Sequence, residues 1–516
     1  MKIRTIFFFF AIFCCSTLSW GQQWKLSETM TAVLDNNVMT ISTTLEAEDM
    51  SAPIWPEEYR NQIHSLVIED GVTSIGSWAF AHHANLVSVT MANSVTIIDS
   101  YAFYNCGSLS MITIPEGVTA LEHAAFKMCG SLTEIDIPAS VTSMKGEMFI
   151  DCGKLETIRV HADNPVFSSD KGILYDKDQT TLIIYPEGKS DVTFEIPGTV
   201  KKIEASAFYD SKLASISIPN SVTGIGNGVF QACQNLTSIH IPASVEEIGA
   251  GAFAACTKLT SIEVDAQNTT YTSDAGILYS LDKTILHTYP TGIGGDFTVP
   301  SFVTGIGELA FSGCGLLTSV TMPNTVTAIG EAVFGDCINL KSVTLSTALT
   351  VIPGWAFSKC RNLTSITIPG SVIEIGLSAF EACTGLTEVT VEWKIPLEVL
   401  DNIFYEVNTS DVTLFVPTGT ASLYHLADVW MDFGTIDEYV VSNISRIASH
   451  TLKAYFSNGI LHITGLSKGE SLCVYSVAGQ LIYKGIAKAE VEQIPLASSG
   501  VYLIVAGDQT VKAIVN

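Results

Sequence analysis

The feature that most constrains this chain is a pattern of about 23 residues that recurs along most of its length. Each copy reads Leu-x-x-Ile-x-Ile-Pro, followed by spaced Val and Ile residues, then Ala-Phe, and a Cys three residues after the Phe. A fixed period of about 20 to 50 residues is typical of stacked repeat architectures, so we predict a solenoid. The marker phenylalanines are Phe80, Phe103, Phe126, Phe149, Phe208, Phe230, Phe253, Phe311, Phe334, Phe357 and Phe380.

The spacing of the apolar residues within one copy predicts how a coil folds. In the copy that starts at Leu132, Ile135 and Ile137 are two residues apart, so both side chains point inward from a short strand. Pro138 ends that strand because it cannot donate to a ladder. One coil cannot bury its own apolar face, so successive coils must stack, with neighbouring strands about 4.8 Å apart in a parallel ladder.

Two steps between marker phenylalanines, from Phe149 to Phe208 and from Phe253 to Phe311, are more than twice as long as the others. The excess residues are alike in the two steps, since both stretches contain Gly-Ile-Leu-Tyr and later Tyr-Pro. We expect each insert to be a β-hairpin with about one extra coil after it. The inserts lie near residues 161–190 and 265–295.

The repeated motif resembles that of the BspA-like, or Treponema pallidum-type, leucine-rich-repeat family. The resemblance covers residues 64–391, and it extends to the caps of that family at residues 22–63, with Trp55, and 392–440, with Trp430. It implies a leucine-rich-repeat solenoid with a parallel β ladder, short helical or turn legs and two β-hairpin inserts. Members are surface or secreted proteins, and several resemble adhesins. The implied function is therefore non-enzymatic binding of a host extracellular protein, a glycan or another microbe through the repeat surface.

Two other functions are open from the sequence alone. A structural component of the cell envelope would need no discrete ligand. A hydrolase on a repeat scaffold would need a catalytic cluster in the inserts, but the inserts share aromatic residues and no common acid–base pair, which predicts packing. The shared aromatic residues are Tyr175, Tyr185, Tyr279 and Tyr289.

The N-terminal segment, residues 1–21, predicts a signal peptide. Lys2 and Arg4 form its charged start, residues 6–13 its apolar stretch, and Ser19 and Gly21 the small residues of a cleavage site. After this segment, no stretch supplies the about 20 consecutive apolar residues that a membrane span needs. We therefore expect the protein to be secreted or on the outer cell surface, without a transmembrane span.

The last part of the chain differs in pattern from the repeats. Residues 441–451 are polar and predict a linker, and residues 452–516 alternate in the manner of short strands, which predicts a small all-β sandwich. The pieces at 474–483 and 500–504 resemble the C-terminal sorting domain of the type IX secretion system of Bacteroidetes. That resemblance implies contact with the secretion machinery through residues 452–516.

The charge of the chain narrows its partners. The net charge is -26, and residues 22–440 hold 18 basic and 48 acidic residues, a net charge of -30. A field of this sign repels phosphate backbones, so we do not expect nucleic acid as a partner. The same charge keeps a long solenoid soluble.

Nine cysteines stand three residues after a marker Phe, and we predict a ladder of small, buried thiols between the coils. Export would permit disulfides, although nine is an odd number and stacked coils place neighbouring cysteines near but outside good bridge geometry. No Cys-x-x-Cys spacing supports a zinc site. The predicted ladder is Cys106, Cys129, Cys152, Cys233, Cys256, Cys314, Cys337, Cys360 and Cys383.

Motifs of catalysis are missing from the sequence. It contains no Gly-x-Ser-x-Gly, His-Glu-x-x-His or phosphate-binding loop pattern. Choosing a catalytic pair among 52 acidic residues would be arbitrary. We therefore predict that the chain is not an enzyme and uses no cofactor and no metal.

One position in the repeat predicts a place for a ligand. The residue between the two inward Ile residues faces outward on the strand surface, and it is Thr in the coils at both ends of the array. In the middle coils this position becomes charged and varied. We predict a ligand-binding patch there, with ordinary solvated strand surface as the alternative. The predicted patch is Asp136, Arg159, Glu195, His240 and Glu263.

Overall fold

The structure is a computed structural model, and its described residues fall into two compact units, one up to Glu438 and one from Tyr439 onwards. The predicted signal peptide lies outside the described residues apart from Gly21, and the predicted linker at 441–451 lies outside them entirely. The described residues are 21–51, 55, 57–439, 453–457, 460–464, 466, 471–476, 481–489, 491–495, 500–506 and 509–515.

The first unit is a solenoid in which short strands repeat coil after coil. The Leu-x-x-Ile-x-Ile segment of each coil forms one strand of what we name the long-strand ladder. Pairing is parallel and in register, so that Ile366 pairs with Val389 and Thr367 with Thr390. The strands of the long-strand ladder are Ser65–Ile68, Ser88–Met91, Met111–Ile112, Glu134–Ile137, Thr157–Val160, Thr193–Glu195, Ser215–Ser217, Ser238–Ile241, Ser261–Val264, Gly295–Thr298, Leu317–Thr321, Ser342–Thr344, Ser365–Ile368 and Glu388–Val391.

A second ladder follows in each coil, formed by the spaced Val and Ile residues, and we name it the short-strand ladder. Its strands also pair in parallel with those of adjoining coils, for example Leu121 with Ile98 and Met144. Most inward residues of the two ladders are buried. The strands of the short-strand ladder are Val72–Ile75, Ile97–Ile98, Ala120–Leu121, Ser143–Met144, Lys202–Ile203, Gly224–Ile225, Glu247–Ile248, Gly305–Ile306, Ala328–Ile329, Val351–Ile352 and Glu374–Ile375.

The marker phenylalanine closes each coil on a segment that we name the phenylalanine turn. The residues two before and two after the Phe adopt the left-handed region, as Ala332 (φ 47°) and Asp336 (φ 57°) do around Phe334. In this conformation the amides of all three residues donate to carbonyls of the next coil: Ala332 to Gly354, Phe334 to Ala356 and Asp336 to Ser358, at 2.8 to 3.0 Å. The phenylalanine rings stack behind these bonds in a buried column, 5.3 Å apart from Phe334 to Phe357.

The inserts keep this column by substituting a tyrosine for the phenylalanine. Tyr185 stacks on Phe208 at 5.1 Å and donates its amide to Ala207, and Tyr289 does the same with Phe311 at 5.0 Å and Ala310. Each long step between marker phenylalanines therefore divides at a tyrosine. The coil that contains the insert is lengthened, and the coil after it has about the ordinary length, as predicted.

Each insert is a three-stranded antiparallel unit whose third strand joins the short-strand ladder. In the first insert, Thr181–Ile184 pairs in parallel with Lys202–Ile203, and in the second, Ile285–Thr288 pairs with Gly305–Ile306. The predicted hairpins are therefore present, with an added third strand. The strands are Phe167–Asp170, Ile173–Asp176 and Thr181–Ile184 in the first insert, and Tyr271–Asp274, Ile277–Ser280 and Ile285–Thr288 in the second.

A buried asparagine fixes each insert to the coil before it. The amide nitrogen of Asn164 donates to the carbonyls of Pro138 and Val141 at 2.9 and 2.8 Å, while its oxygen accepts from the amides of Val166 and Phe167. The second insert repeats all four hydrogen bonds. Asn268 bonds to Pro242, Val245, Thr270 and Tyr271 at 2.8 to 2.9 Å. Each asparagine thus satisfies four backbone groups where regular pairing stops.

The array begins on antiparallel strands that continue the long-strand ladder outward. Val38–Thr43 pairs in parallel with Ser65–Ile68, so it covers the exposed edge of the first coil. Trp55 stacks on Phe80 at 5.8 Å, and its Nε1–H donates to the carbonyl of Ala79 at 2.6 Å. The elements here are Gln22–Lys25, Met30–Asp35, Val38–Thr43, Glu48–Met50 and the helix Glu57–Arg60.

The array ends on a mixed segment built around aromatic residues. Phe404 extends the aromatic column from Phe380 at 5.3 Å. The buried Trp430 contacts Phe404 edge-on and donates its Nε1–H to the carbonyl of Leu397 at 2.7 Å. The elements are the 3-10 helix Thr409–Asp411, the strand Thr413–Pro417, the helix Ala421–Tyr424, the 3-10 helix Trp430–Asp432 and the strand Thr435–Tyr439.

The second unit is a pair of antiparallel sheets with one buried core, as a small sandwich requires. The sequence pattern predicts this sandwich but does not reveal the strand Val491–Pro495, which pairs with Ile460–Thr464. One sheet is Lys453–Ser457, Ile460–Thr464 and Val491–Pro495. The other is Leu481–Ile486, Ser471–Ser476, Gly500–Ala506 and Gln509–Val515.

We expect the buried asparagines to be required for stability. Asn268→Ala leaves two carbonyls and two amides without partners, and a buried unsatisfied group costs about 1–3 kcal/mol. We predict a loss of about 3 kcal/mol or more in the free energy of unfolding, seen as a lower urea midpoint by circular dichroism. The control is Asn85→Ala, which removes an exposed hydrogen bond to the carbonyl of Asn61. Equal effects of the two variants would contradict this role.

Candidate functional site on the repeat surface

The outward face of the long-strand ladder is formed by two side chains from each coil. The first precedes the first inward apolar residue of the strand, and the second lies between the two inward residues. Glu134–Ile137 shows the alternation, since Glu134 and Asp136 are exposed while Ile135 and Ile137 are buried. Towards the end of the array the second position is threonine in successive coils, paired in register as Thr321 with Thr344. The middle coils replace this threonine mostly with charged residues.

Asp136 and Arg159 meet at the centre of a small ion-pair network. They are register partners on adjacent strands, and Arg159 Nη1 donates to Asp136 Oδ1 at 3.2 Å. Arg159 Nη2 donates to Glu134 Oε2 at 2.5 Å, and this hydrogen bond lowers the pKa of Glu134. The sequence analysis missed Glu134, although its place two residues before Asp136 puts it on the same face. All three side chains stay more than half exposed, so they remain accessible to a ligand.

The other three predicted residues lie on a separate stretch of the same face. His240 and Glu263 are register partners, and Glu195 pairs with Ser217 on the strand before theirs. Between the two groups stands the first insert. The amides of Ile158 and Val160 donate to the carbonyl of Gly172 and to Ser169 Oγ of the hairpin, both at 3.0 Å. The hairpin thus bonds to the edge of the strand that carries Arg159.

The second insert bonds to the end of the middle stretch in the same way. Ile262 and Val264 donate to the carbonyl of Gly276 and to Ser273 Oγ at 2.9 and 3.1 Å. The structure therefore brings together Asp136 with Arg159, and His240 with Glu263, but it divides the predicted patch into two parts. Glu195, His240 and Glu263 occupy a stretch that has a hairpin at each end.

The nine ladder cysteines are free, buried thiols. Each donates its Sγ–H to the carbonyl of the aromatic residue in the column one coil earlier, for example Cys360 to Phe334 at 3.1 Å. These distances range from 2.9 to 3.8 Å along the ladder. Burial raises the pKa of Cys106 and of Cys383 to about 12. Because all nine are buried, the thiols link coils as weak donors and are shielded from the reagents of nucleophilic chemistry.

Histidine and serine replace cysteine where the ladder begins or restarts. His83 holds the position in the first coil, where its Nδ1 lies 3.1 Å from the carbonyl of Ala81. Burial lowers the pKa of His83 to about 4, so the ring is neutral near pH 7. After the first insert, Ser211 holds the position, and its hydroxyl lies 3.2 Å from Cys233 Sγ.

A buried carboxyl group sits in the gap that the first insert opens. Glu187 is 6% exposed, and its Oε1 accepts from the amide of Asp151 at 2.8 Å. Its Oε2 has no hydrogen-bond partner within the described part of the chain. It borders a cavity of about 30 Å³ that is also lined by Phe149, Tyr185 and Tyr209, enough for about one water molecule.

The surroundings of Glu187 favour its neutral form. Burial is the main cause that raises its pKa to about 8, and the carboxylates of Asp151 and Asp210 add to the effect. The equivalent residue in the second insert is Thr291, and there the amide of Ala255 donates directly to the carbonyl of Ser312 at 3.3 Å. The sequence analysis did not single out Glu187, because one acidic residue in a Tyr-Pro-Glu-Gly turn has no distinguishing pattern.

Comparison with protein families identifies the repeats. The model of the BspA type leucine-rich repeat region matches six copies, at residues 58–170, 188–287 and 295–415, which together cover well over half of the chain. The chain belongs to the BspA type leucine-rich repeat family. The predicted family is confirmed by this match, and the predicted leucine-rich-repeat solenoid by the stacked strand ladders.

Solved structures that match this BspA type chain are also repeat proteins. A leucine-rich repeat protein from Eubacterium ventriosum is 28% identical over 70% of this chain and 95% of its own, with a TM-score of 0.46. A leucine rich cell surface protein from Faecalibacterium prausnitzii is 24% identical over 82% and 96%, with a TM-score of 0.37. A leucine-rich repeat protein from Bacteroides ovatus is 22% identical over 73% and 94%, with a TM-score of 0.36. Among curated proteins, none matches the chain.

Two absences hold for the described part of this BspA type protein. Its described residues contain no group of three or more His, Cys, Asp or Glu side chains arranged to hold a metal ion. In the same residues, no helix has the length and apolar character needed to cross a membrane.

The buried cysteines predict a pattern of chemical labelling. We expect each of the nine ladder thiols to react with maleimide at least about a hundredfold more slowly in the native protein than in the unfolded chain, because a buried thiol is shielded from the reagent. The half-buried Cys473 of the second unit is the internal comparison. Peptide mass spectrometry after labelling, with and without guanidinium chloride, measures this. Fast native labelling of the ladder would contradict the packing.

Glu187 predicts a specific dependence of stability on pH. Its pKa is about 8 in the folded protein against an ordinary value of 4.5, so the folded state binds the proton more tightly. Its contribution is full below pH 4.5 and is lost as the pH rises towards 8. We expect Glu187→Gln to raise the melting temperature at pH 8 relative to the parent chain, and much less at pH 5. The exposed Glu331→Gln is the control, and a Glu187→Gln difference that is independent of pH would refute the assignment.

Proposed function

We propose that this chain is a secreted or cell-surface binding protein, without enzymatic activity, that holds a protein or glycan ligand on the outward face of its long-strand ladder. The observation that carries the proposal is the change along this face from a uniform threonine column to charged residues in the middle coils. Core packing does not require that change, because the side chains concerned point outward and leave the buried residues unaltered.

The two charged stretches differ in what they offer a ligand. The network of Glu134, Asp136 and Arg159 presents a guanidinium between two carboxylates, an arrangement that binds polar groups by charge-assisted hydrogen bonds. The stretch of Glu195, His240 and Glu263 presents carboxylates and an imidazole between the two hairpins. Loops and inserts on a rigid scaffold are frequent sites of recognition.

We further propose a route by which the protein reaches its place of action. Residues 1–21 direct export as a signal peptide, and residues 452–516 serve as a sorting domain that contacts secretion machinery of the type IX kind. Support for the second part is the small antiparallel sandwich that this region forms. Deletion of residues 452–516 should retain the protein inside the outer membrane of its native cell, and unchanged release would contradict the sorting role.

The binding proposal predicts the effect of restoring the threonine column. A variant with Asp136, Arg159, Glu195, His240 and Glu263 all replaced by Thr should bind its ligand at least about tenfold more weakly, a loss of about 1.4 kcal/mol or more. The screen uses the full mature chain against immobilised fibronectin, laminin, collagen and mucin, measured by surface plasmon resonance. Melting temperatures of both chains verify that the fold is intact.

A matched control changes the same position where the column is uniform. Serine replaces threonine in this variant, which should bind like the parent chain. The control residues are Thr298, Thr321, Thr344, Thr367 and Thr390. If the charged-patch variant binds as well as the parent, the ligand face lies elsewhere. If no probe binds the parent chain, a structural role in the envelope, served by the threonine column itself, replaces the binding proposal.

A further inference from the structure

A cluster of aromatic rings, exposed or half-buried, lies on the phenylalanine turns of the first coils, away from the long-strand face. Trp78 and Tyr101 stack with their ring centres 4.2 Å apart and their planes at 14°. Tyr104 contacts both rings edge-on, at 5.4 Å from Trp78 and 5.7 Å from Tyr101. These rings are separate from the buried phenylalanine column, and Trp78 is 48% exposed.

Two histidines border the rings. His82 contacts Tyr104 edge-on at 5.2 Å, and His123 contacts Tyr101 at 5.4 Å. Asn105 Nδ2 lies 3.1 Å from His82 Nδ1, so the amide donates to Nδ1 and leaves the ring proton on Nε2. We name Trp78, Tyr101, Tyr104, His82 and His123 the aromatic patch. It combines apolar ring surface with hydrogen-bonding groups at its border.

The backbone conformation at the two stacked residues is unfavourable for bulky side chains, so folding stability alone does not account for them. Trp78 (φ 61°) and Tyr101 (φ 59°) both occupy the left-handed region, which bulky side chains rarely adopt. Most other coils place a small residue at this position of the phenylalanine turn. Those residues are Ala124, Ser206, Gly228, Gly251, Ala332 and Ser378. Two stacked aromatic residues in a disfavoured conformation, Trp78 exposed and Tyr101 half-buried, indicate a role for the rings at the surface.

We propose that the aromatic patch binds a neutral carbohydrate by stacking against the C–H face of its sugar rings. The negative face of an aromatic ring attracts polarised C–H groups, and the imidazoles and the Tyr104 hydroxyl are placed to bond sugar hydroxyls. The acidic residues of the neighbouring turns, Asp99 and Glu122, favour a neutral ligand over an acidic polysaccharide. Burial is the main cause that raises the pKa of Asp99, and the nearby carboxylate of Glu122 adds to it.

The size of the patch also favours a short oligosaccharide over a protein. Three coils at about 4.8 Å each span about 10 Å along the solenoid. A stable protein interface takes about 800 Å² from each partner, whereas one aromatic side chain supplies at most about 250 Å² and these rings are partly covered by each other. Beyond His123, in the third coil, the patch ends at an ion pair between Lys127 and Glu147, which lie 2.6 Å apart.

The test measures binding of defined neutral sugars to the full mature chain by isothermal titration calorimetry. The probes are maltoheptaose, cellohexaose, mannohexaose and chitohexaose. We expect at least one to bind the parent chain, and Trp78→Ala and Tyr101→Ala to weaken that binding about tenfold or more. Alanine already occupies the equivalent left-handed position as Ala124 (φ 54°), so both variants are expected to fold.

The matched control is Trp355→Ala. Trp355 holds the same position in a later coil, with φ 54° and 39% exposure, but has no ring contact with another aromatic residue of the described chain. It should leave sugar binding unchanged. The proposal is overturned if none of the four sugars binds, or if Trp355→Ala weakens binding as much as Trp78→Ala. Tetramethylammonium is a fifth probe, for a cationic ligand, and its binding at the patch without binding of the sugars would also overturn the proposal. Because the patch lies on another face, this outcome is independent of the strand-face test.

Discussion

The backbone hydrogen bonding of the phenylalanine turn is the interaction on which the rest of the solenoid depends. Alternation between left- and right-handed residues turns the amides two before, at and two after the Phe towards the next coil, where carbonyls accept them. The left-handed conformation costs stability at each non-glycine residue. The bonds, the phenylalanine column and the cysteine thiols offset that cost together, since each of them links one coil to the next.

This bonding has a direction, and the direction explains the special residues at each interruption. Every coil donates forward, so the first coil presents unused carbonyls and a coil before an insert presents unused amides. Trp55 supplies a donor to the unused carbonyls of the first coil. Its Nε1–H donates to the carbonyl of Ala79, as the phenylalanine amide of a preceding coil would, and its ring stacks on Phe80. Glu187 supplies an acceptor to an unused amide of the coil before the first insert. Its carboxyl group accepts from the amide of Asp151, where no backbone carbonyl is in place.

The sequence predicted the parts of the structure that follow from spacing and apolar character. The coils, the long-strand ladder, the positions of the inserts and the outward direction of Asp136 and Arg159 all follow from the repeat period and from the alternation of side chains along a strand. The short-strand ladder was not predicted, because its segment was expected to be a helical or turn leg. The sequence did not reveal that Tyr185 and Tyr289 replace the phenylalanine, because the marker was read as Phe alone and the coil lengths around it change. It also missed the rings of Trp78 and Tyr101, which meet only because both coils place the same left-handed residue outward. Neither the repeat period nor the alternation of side chains along a strand describes how these turn residues are oriented.

The division of the strand face by the inserts constrains how a ligand can use it. A continuous ladder would let one extended partner lie along the whole face, but each hairpin bonds to a strand edge through the amides of residues such as Val160 and Val264. The charged residues consequently fall into one stretch before the first hairpin and one between the two hairpins. A ligand that contacts both stretches must pass over the first hairpin. A ligand confined to Glu195, His240 and Glu263 instead contacts a surface of parallel strands with a hairpin at either end. Single replacements on the two stretches therefore separate these binding modes, since only the first mode requires Arg159.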